Sequence, residues 1–476
     1  MSGAAPNAAF GAAPSGVMAR LRGKDEGASA TAAGLALATA AFFFTLHPRL
    51  GVVDVDGYAY AMGARSLRAG LGYRGLMGDP FNHWPPGYSL ILSLFSDPLV
   101  GAWIVNGLAY AAAVGLLHLL ARRAGWTWQA ALGLSVGLGA GFLRNLASVV
   151  HADILTYALF FAALILALSR PGRLTPALIW AALTPVKFIA VAFLPPAALA
   201  DLAAEPKAVW GLVRRYLAPT LIVAAATGAV IAYNIATIGV WMSASHARPS
   251  LAGLGAAAGA FVVSIPRELL FGWYGSLAGP LPRAAFGLTL AVLAACAIAL
   301  KPMAQGRWLR IYGAGFLVCC VVLLCVRSYE PSARLSAYGL VALIVGFQPL
   351  RWANWPWLLY GALSLAVAGA DIATQNDLGA NDPRYERLAH EVAAFDRSGS
   401  AIATNSFHIL DLHAGLPTVW VARWADAAPY KELLWVRLPS YDAIASSVTP
   451  LPAPPALWRP VKAFDGAVLY RRSATP

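Results

Sequence analysis

Long apolar segments constrain this chain more than any other feature of its sequence. Runs nearly free of charged side chains recur between residues 30 and 370, and the loops between them carry most of the Lys and Arg residues. Each run has about 17–25 residues, which is the length that an α-helix needs to cross the hydrocarbon core of a bilayer. The pattern therefore predicts an α-helical polytopic membrane protein.

Composition excludes most classes of soluble protein. Only 12% of the residues are charged and 59% are hydrophobic, whereas ordinary soluble proteins carry roughly 25% charged residues. The net charge of +13 comes from Lys and Arg in short loops, where such residues set the orientation of membrane segments. We therefore predict the membrane, and not nucleic acid, as a partner.

The apolar runs and their flanking charges predict about eleven spans with a cytoplasmic N-terminus. Residues 1–29 are expected to form a disordered cytoplasmic tail, since they are rich in small residues and lack a strong apolar core. Residues 30–370 form the predicted membrane domain, with a long outer loop at about residues 48–98. Charges and short β-like runs appear after residue 370, so residues 371–476 are predicted to form a small α/β domain in the outer compartment.

The segment between the basic flanks at Arg173 and Lys207 must cross the membrane twice if both flanks are cytoplasmic. Two short helices broken near Thr184-Pro185 satisfy this requirement, because proline ends or kinks a helix. The break would place Lys187 near the outer surface. One long tilted helix is the alternative, and it would invert every later loop.

The first outer loop begins with two acidic residues. Asp54 and Asp56 follow the first apolar segment, and an amphipathic stretch from Tyr58 to Leu71 comes next, which we expect to lie flat on the membrane surface. Carboxylates at a membrane boundary are costly to desolvate, so a functional role is the first hypothesis for both aspartates. Capping of the surface helix is the structural alternative.

The motifs of this loop resemble those of a known family. Residues 56–60 (Asp-Gly-Tyr-Ala-Tyr) are followed by Ala64-Arg65 and Gly70, and then by residues 84–88 (Trp-Pro-Pro-Gly-Tyr). This order is similar to the first outer loop of GT-C fold glycosyltransferases, above all the lipid A aminoarabinose transferases and the protein O-mannosyltransferase-like enzymes. The resemblance covers about the first 200 residues by motif and the rest by topology. It implies a GT-C-like protein of the bacterial inner membrane with a periplasmic C-terminal domain.

The resemblance also implies a reaction and its catalytic residues. Enzymes of this kind take a sugar from a polyprenyl-phosphate carrier at the outer membrane face and pass it to a lipid, glycan or protein acceptor. The family's aspartate falls at Asp56, which would be the general base for the acceptor's proton, with Asp54 as its neighbour. A second acidic residue of the family's site falls at Asp153, whose alternative role is the N-cap of the next helix. His151 is interpreted as an interfacial residue rather than a base.

A phosphate leaving group favours cationic side chains around it. The candidates for this clamp are Lys187, Arg334, Arg248 and Arg144. Lys187 interrupts an apolar stretch, where a lysine is costly unless it is paired or functional, although snorkelling to the interface is an equal alternative. Related enzymes often carry an arginine near the lipid phosphate at the position of Arg334. Arg144 has the alternative of marking a helix end.

Side chains of the same loop are candidates for substrate binding, namely Tyr58, Tyr60, His83 and Trp84. The aromatic rings either stack on a sugar or belong to the aromatic belt of the membrane interface. The chain departs from the aminoarabinose transferases at Trp84, where those enzymes carry a lysine directly before the Pro-Pro pair. That positive charge is either missing here or supplied by His83 or another loop.

Together these expectations describe a polyprenyl-phosphate-sugar-dependent glycosyltransferase, transferring a hexose or a pentose. A transporter or flippase of lipid-linked sugars is the alternative, but it predicts polar groups in mid-membrane, whereas the acids here concentrate at one face. A non-catalytic membrane scaffold leaves Asp54, Asp56 and Asp153 without a function. The sequence leaves a divalent metal open as a cofactor, with those three aspartates as its only candidate ligands.

Overall fold

A computed structural model shows a mostly α-helical chain with a small β-sheet near its C-terminus. The residues that the structure describes are 15–47, 55–74, 84–169, 174–204, 206, 209–239, 280–302, 306–326, 333–375, 383–395, 401–405, 410, 414–421, 427–436 and 456–473. Within these ranges the order and packing of the elements are defined.

The described part of the first half of the chain contains ten α-helices. They are α1 (Ser15–Leu46), α2 (Val55–Arg68), α3 (Gly87–Leu92), α4 (Pro98–Arg123), α5 (Trp128–Leu138), α6 (Arg144–Ala147), α7 (Asp153–Ser169), α8 (Leu174–Ala182), α9 (Leu194–Ala204) and α10 (Val209–Ile238). A π-helical turn, Gly139–Leu143, joins α5 to α6, and a 3-10 helix, Phe188–Phe193, leads into α9. Helix α4 is central because it packs against α1, α5 and α7.

The second half adds four helices to this bundle. They are α11 (Pro280–Ile298), α12 (Arg307–Val326), α13 (Ala333–Val345) and α14 (Asn354–Gln375). Helix α14 packs along α5, and their backbones touch at Gly133, where an added methyl group would lie 2.2 Å from the carbonyl oxygen of Trp357. Two short strands, β1 (Leu300–Pro302) and β2 (Phe347–Pro349), pair antiparallel and tie the start of α12 to the end of α13.

Apolar helices confirm the prediction of a mostly helical membrane protein. Among the described residues, four segments are long and apolar enough to cross a membrane: Gly27–Leu46, Pro98–Arg123, Trp128–Ala147 and Val209–Ala236. Shorter apolar helices accompany them, namely Asp153–Ser169, Phe188–Ala204, Gly287–Ile298 and Leu335–Val345. The total of eleven spans stays a prediction.

The predicted break near Thr184-Pro185 is present. Helix α8 ends at Ala182, a turn follows over residues 183–186, and α9 begins only at Leu194. Proline cannot donate the backbone hydrogen bond that would continue α8. The segment thus contains two short helices in place of one long tilted helix.

A group of polar side chains around Asp201 joins α9, α10 and α12 at their predicted inner ends. The carboxylate of Asp201 accepts hydrogen bonds from Arg215 at 2.6 Å and from the Tyr216 hydroxyl at 3.0 Å, both at Oδ2. Its Oδ1 accepts a hydrogen bond from the Trp308 indole at 2.8 Å. Both carboxylate oxygens therefore face donors, and the aspartate links three helices.

The C-terminal segment contains an α/β unit. Its elements are α15 (Pro383–Phe395), β3 (Ile402–Thr404), β4 (Thr418–Trp420), β5 (Glu432–Val436), β6 (Trp458–Phe464) and β7 (Ala467–Arg472). The strand order is β4-β3-β5-β7-β6, with β3 parallel to β4 and β5 and the remaining pairs antiparallel. Leu388 and Val392 of α15 pack with Ile402 and Leu469 of the sheet. The periplasmic placement of this unit and its bounds stay predictions.

Candidate active site

Four polar side chains come together where α2, α7 and the turn before the 3-10 helix meet. The Nε2 atom of His151 lies 3.8 Å from Oδ2 of Asp56, and its Nδ1 atom lies 3.6 Å from Oδ2 of Asp153. The ammonium group of Lys187 forms an ion pair with Oδ1 of Asp153. These four residues are called the carboxylate cluster below.

Exposure increases across the carboxylate cluster from Asp153 to Asp56. The side chain of Asp153 is 1% exposed and that of Lys187 14%, whereas that of Asp56 is 26% exposed. A carboxylate buried as deeply as Asp153 requires a cationic partner to stay charged, and Lys187 provides one. Asp56 is the member of the cluster most open to a molecule that arrives from outside.

Local backbone structure explains how each member of the cluster is held. Asp56 lies in the first turn of α2 and Asp153 in the first turn of α7, where the positive end of the helix dipole stabilises a carboxylate. Lys187 has an extended backbone, with φ −152° and ψ 128°, because α8 has ended before Pro185. Each of the two aspartates can therefore lie at the start of its helix and also belong to the site.

The Pro-Pro-Gly-Tyr motif packs directly against the segment that carries Lys187. The backbone N–H of Gly87 donates a hydrogen bond to the carbonyl oxygen of Pro185 at 2.7 Å. A methyl group on Gly87 would lie 2.4 Å from that oxygen, which is closer than atoms can approach. Only glycine therefore allows this contact between the motif and the Lys187 segment.

The tyrosine of the motif begins a buried chain of hydrogen bonds. The Tyr88 hydroxyl donates to Oδ1 of Asn106 at 2.7 Å, and Nδ2 of Asn106 donates to the carbonyl oxygen of Val149 at 2.7 Å. The backbone N–H of His151 donates to the same carbonyl oxygen at 2.9 Å. The chain thus connects the motif to the segment that carries His151 and Asp153.

Tyr60 lies inside the protein, against the same motif. Its ring centroid is 5.0 Å from that of Tyr88, edge to face, and 6.5 Å from that of Trp84. The Ser89 hydroxyl donates to the Tyr60 carbonyl oxygen at 2.9 Å. Burial, and then the Asp56 carboxylate, raise the pKa of Tyr60 well above its usual range, so this phenol stays neutral. Its packing joins α2 to the motif.

Two stacked tyrosines connect α7 to α13. The rings of Tyr157 and Tyr338 lie 3.9 Å apart with an angle of 9° between their planes. Asp153 lies four residues before Tyr157, and Arg334 lies four residues before Tyr338, which is one helical turn in each case. In the predicted topology both helices begin at the outer face, which places the backbone of Arg334 at the level of Asp153.

Arg144 is buried in the last helical turn before the end of α6 at Ala147. The apolar helical segment runs through the π-helical turn to Ala147, and the guanidinium donates to the carbonyl oxygen of Ala140 and to Oδ1 of Asn145, both at 3.0 Å. Burial, and then the charge of Arg144, lower the pKa of His47 to about 4. The effect on His47 places Arg144 near the C-terminal end of α1.

Five predicted site residues are described in part or not at all. Asp54, His83 and Arg248 lie outside the described residues. Tyr58 and Arg334 belong to α2 and α13, but their side chains are outside the part of the chain that the structure describes. Their roles stay predictions.

The structure corrects the interpretation of His151. The residue is 1% exposed and faces both carboxylates, whereas the sequence alone placed it at the membrane interface. Its position two residues before Asp153 is the signal that could have identified it. Asn106 was also overlooked, although an amide within the apolar run of α4 is a signal for a specific polar contact.

The cluster already has a cation at its buried carboxylate. Among the described residues, no group of three or more His, Cys, Asp and Glu has the arrangement of a metal site. The Lys187 ammonium contacts Oδ1 of Asp153. Asp54, the third candidate ligand, lies outside the described residues, so a divalent metal stays an open prediction.

Comparisons with known proteins identify the architecture. No protein-family model matches this sequence, and no curated protein matches it. A solved structure of ArnT, an aminoarabinose transferase from Cupriavidus metallidurans, bound to undecaprenyl phosphate, is similar over 94% of this chain and 98% of its own, with a TM-score of 0.58 and 13% identity. The same protein in its apo state gives a TM-score of 0.47. The chain therefore has the GT-C-like fold that the loop motifs predicted.

Proposed function

We propose that this protein transfers a hexose or pentose from a polyprenyl-phosphate carrier to a hydroxyl or amine of a lipid, glycan or protein acceptor. The carboxylate cluster carries the proposal, because it combines an accessible Asp56 with a buried ion pair of Asp153 and Lys187. A base open to the acceptor and a fixed cation are the two groups that this reaction needs. The fold supports it, since the ArnT structure with this fold contains undecaprenyl phosphate.

Asp56 is the general base of the proposed reaction. One of its carboxylate oxygens takes the proton of the acceptor hydroxyl or amine while the acceptor atom attacks the anomeric carbon. The bond between that carbon and the phosphate oxygen breaks, and its electron pair leaves with the carrier phosphate. Attack opposite the phosphate inverts the configuration of the anomeric carbon.

Positive charge around the leaving phosphate stabilises the transition state. Lys187 is already fixed by Asp153, so its charge needs little rearrangement when the phosphate leaves. Arg334 is the second member of the proposed clamp because α13 begins beside α7. Arg248 and Arg144 are further candidates that contribute charge from the loop after α10 and from α6.

A cavity beside the motif suits the apolar part of the carrier. It has a volume of about 190 Å³, with Trp84 and Pro86 on one side and Val230 and Tyr233 of α10 on another. Gly87 comes directly after Pro86 in the sequence and contacts the Lys187 segment. In the proposed complex the first isoprene units occupy the cavity, and the phosphate lies toward Lys187.

The other predicted residues line the sugar and acceptor side of the site. We assign Asp54, Tyr58 and His83 to this side because they neighbour Asp56 and Trp84 in sequence. The site lies at the outer face of a bacterial inner membrane, with residues 371–476 in the periplasm, as the distribution of Lys and Arg indicates. Labelling of a single cysteine introduced at Asp97 by a membrane-impermeant reagent checks this orientation.

The test of the function measures release of free carrier phosphate. Purified protein in nanodiscs is given a panel of polyprenyl-phosphate sugars with candidate acceptors, and the wild type is compared with Asp56→Asn. We expect the variant to lose about 10²- to 10⁴-fold in rate, as for a missing general base. Asp97→Asn is the matched control, since Asp97 is a carboxylate of the same loop that caps α4 through a 2.8 Å hydrogen bond from the Leu99 N–H.

Two outcomes would contradict the proposal. Wild-type rates in Asp56→Asn would remove Asp56 as the base. Movement of an unmodified lipid-linked sugar across a vesicle membrane, with no release of carrier phosphate, would favour the transporter.

A further inference from the structure

We propose that Asn106 is a positioning residue for the carboxylate cluster, holding the segment of His151 and Asp153 at a fixed distance from the Pro-Pro-Gly-Tyr motif. The inference rests on the proposed function for its effect on turnover. Its structural part stands on hydrogen bonds that exist without any substrate.

Burial is the first reason to assign Asn106 a specific role. Asn106 is 0% exposed and lies within α4, a segment apolar and long enough to cross a membrane. An amide in such surroundings is costly unless its polar atoms are all paired. An aliphatic residue would pack in α4 at no such cost, so packing alone gives no reason for an asparagine there.

The hydrogen bonds of Asn106 lead to two different parts of the site. Its Oδ1 accepts from the Tyr88 hydroxyl, and its Nδ2 donates to the carbonyl oxygens of Val149 at 2.7 Å and Ala147 at 3.4 Å. Ala147 is the last residue of α6, and Val149 lies in the turn between α6 and α7. Asn106 therefore joins the motif to the turn that leads into Asp153.

Each partner of Asn106 is connected by one further hydrogen bond or peptide bond to a residue near a member of the carboxylate cluster. The Val149 carbonyl that Asn106 holds also accepts the backbone N–H of His151. On the other side, Tyr88 directly follows Gly87, whose N–H binds Pro185 in the segment of Lys187. A shift of Asn106 would thus change the position of Asp153 relative to Lys187.

The chemistry of the side chain explains why asparagine fits this place. The Val149 carbonyl needs a donor and the Tyr88 hydroxyl needs an acceptor, and an amide provides both on one short side chain. Aspartate has only acceptors when it is ionised, so it keeps the contact with Tyr88 and loses the contact with Val149. Leucine has neither group.

The experiment compares Asn106→Asp, Asn106→Leu and Tyr88→Phe with the wild type in nanodiscs. Tyr88→Phe is the mild variant, since it removes one hydroxyl and leaves the bond from Asn106 to Val149 in place. Ser135→Ala is the matched control, because the Ser135 hydroxyl is also buried in a membrane helix and, among the described residues, donates its hydrogen bond to the carbonyl of Ala131 in its own helix, at 2.8 Å. Carrier-phosphate release, thermal unfolding and hydrogen exchange are measured for each.

We expect Asn106→Asp to lower kcat by about 10- to 100-fold, the size of effect that a displacement of about 1 Å produces. KM for the carrier should change less than about twofold, and Tyr88→Phe should show a smaller loss of the same kind. Amides of residues 147–153 and 185–188 should exchange faster in both variants and not in Ser135→Ala.

The two proposals fail in different ways. Unchanged exchange at residues 147–153 in both Asn106→Asp and Tyr88→Phe would overturn the positioning role, whatever the activity. A loss of kcat that only parallels the loss of thermal stability, as in the control, would also overturn it. If the wild type releases no carrier phosphate but the exchange changes as expected, the proposed function fails and the positioning role stands.

Discussion

Asp153 and Asp201 are both buried carboxylates in the same helical bundle, but their surroundings differ. Asp201 faces three donors, from Arg215, Tyr216 and Trp308, and these satisfy both of its oxygens. Asp153 faces Lys187 and an imidazole that also contacts a second carboxylate. The carboxylate oxygens of Asp201 are paired within the protein, whereas the cluster around Asp153 combines two carboxylates with one lysine.

The difference predicts a structural role for Asp201 and a functional role for Asp153. A buried acid whose oxygens all meet donors stabilises the helices that supply them, and it has little capacity left for a ligand. Two acids around one histidine repel each other, and such an arrangement is typical of sites where protonation or binding changes the charge. The contrast can be tested by parallel substitutions at the two aspartates.

The largest expected effect comes from exchanging each aspartate for asparagine. Asp153→Asn should lower carrier-phosphate release on the order of 10³-fold, because Lys187 and His151 both lose the charged group that they face. Asp201→Asn should leave the rate per folded molecule near that of the wild type but cost about 3–5 kcal/mol of unfolding free energy, since Arg215 is left without its counter-charge. Release assays and thermal unfolding in detergent measure both; an equal loss of rate per folded molecule in the two variants would contradict the comparison.

We expect the cationic partners of the two aspartates to differ in the same way, with smaller effects: Lys187 affects the rate and Arg215 the unfolding free energy. Lys187→Met is expected to lower the release rate on the order of 10²-fold, and Lys187→Arg should recover part of it because the charge is kept. Arg215→Met should cost about 1.5–3 kcal/mol of unfolding free energy, the range for a hydrogen bond to a charged group, with little change in rate. Full activity of Lys187→Met would remove Lys187 from the proposed clamp.

The histidine provides a finer test. His151→Gln should lower the release rate about two- to tenfold, because a glutamine amide presents one donor group whereas the ring presents nitrogen atoms to both carboxylates. His118→Gln is the control: His118 is equally buried, in α4, and forms no ion pair among the described residues. Comparable losses in both variants would show that the effect arises from packing and not from the cluster.

The smallest expected effect concerns the indole that binds Asp201. Trp308→Phe keeps most of the ring but removes the N–H that donates to Oδ1. The expected cost is about 1 kcal/mol of unfolding free energy, seen as a small fall in the melting temperature with unchanged turnover. A fall in kcat would show that the two aspartates are coupled.

Local signals in the sequence were sufficient for much of this fold and site. The length of the apolar runs predicted the membrane helices. Pro185, which cannot donate a backbone hydrogen bond, predicted the break in the helix just before Lys187. Asp56 and Asp153 were identifiable because an acid at the end of an apolar run is costly and because the loop motifs resemble those of GT-C enzymes. These signals depend on neighbouring residues in the chain, which is why they can be read without a structure.

Contacts between distant segments could not be predicted in this way. Nothing near His151 indicates that Asp56, about one hundred residues earlier, lies on the other side of its ring. The contacts of Arg144 with Ala140 and Asn145 were also not predictable, because a π-helical turn continues the helix beyond residue 143, where the predicted span ended. The partners of Asn106 are likewise set by the packing of α3 and the turn after α6 on α4, and no local pattern encodes that packing.

The contact of Gly87 with Pro185 has a consequence for biosynthesis. The two residues are 98 positions apart (185 − 87 = 98), and the ribosome makes the earlier one first. A nascent chain that ends before Pro185 holds Asp56 and Asp153 without the lysine that compensates them, so the site cannot form. Once α9 has been made, every member of the carboxylate cluster is present, while α11–α14 are still to come. The order of synthesis thus adds the lysine of the cluster after both of its acids.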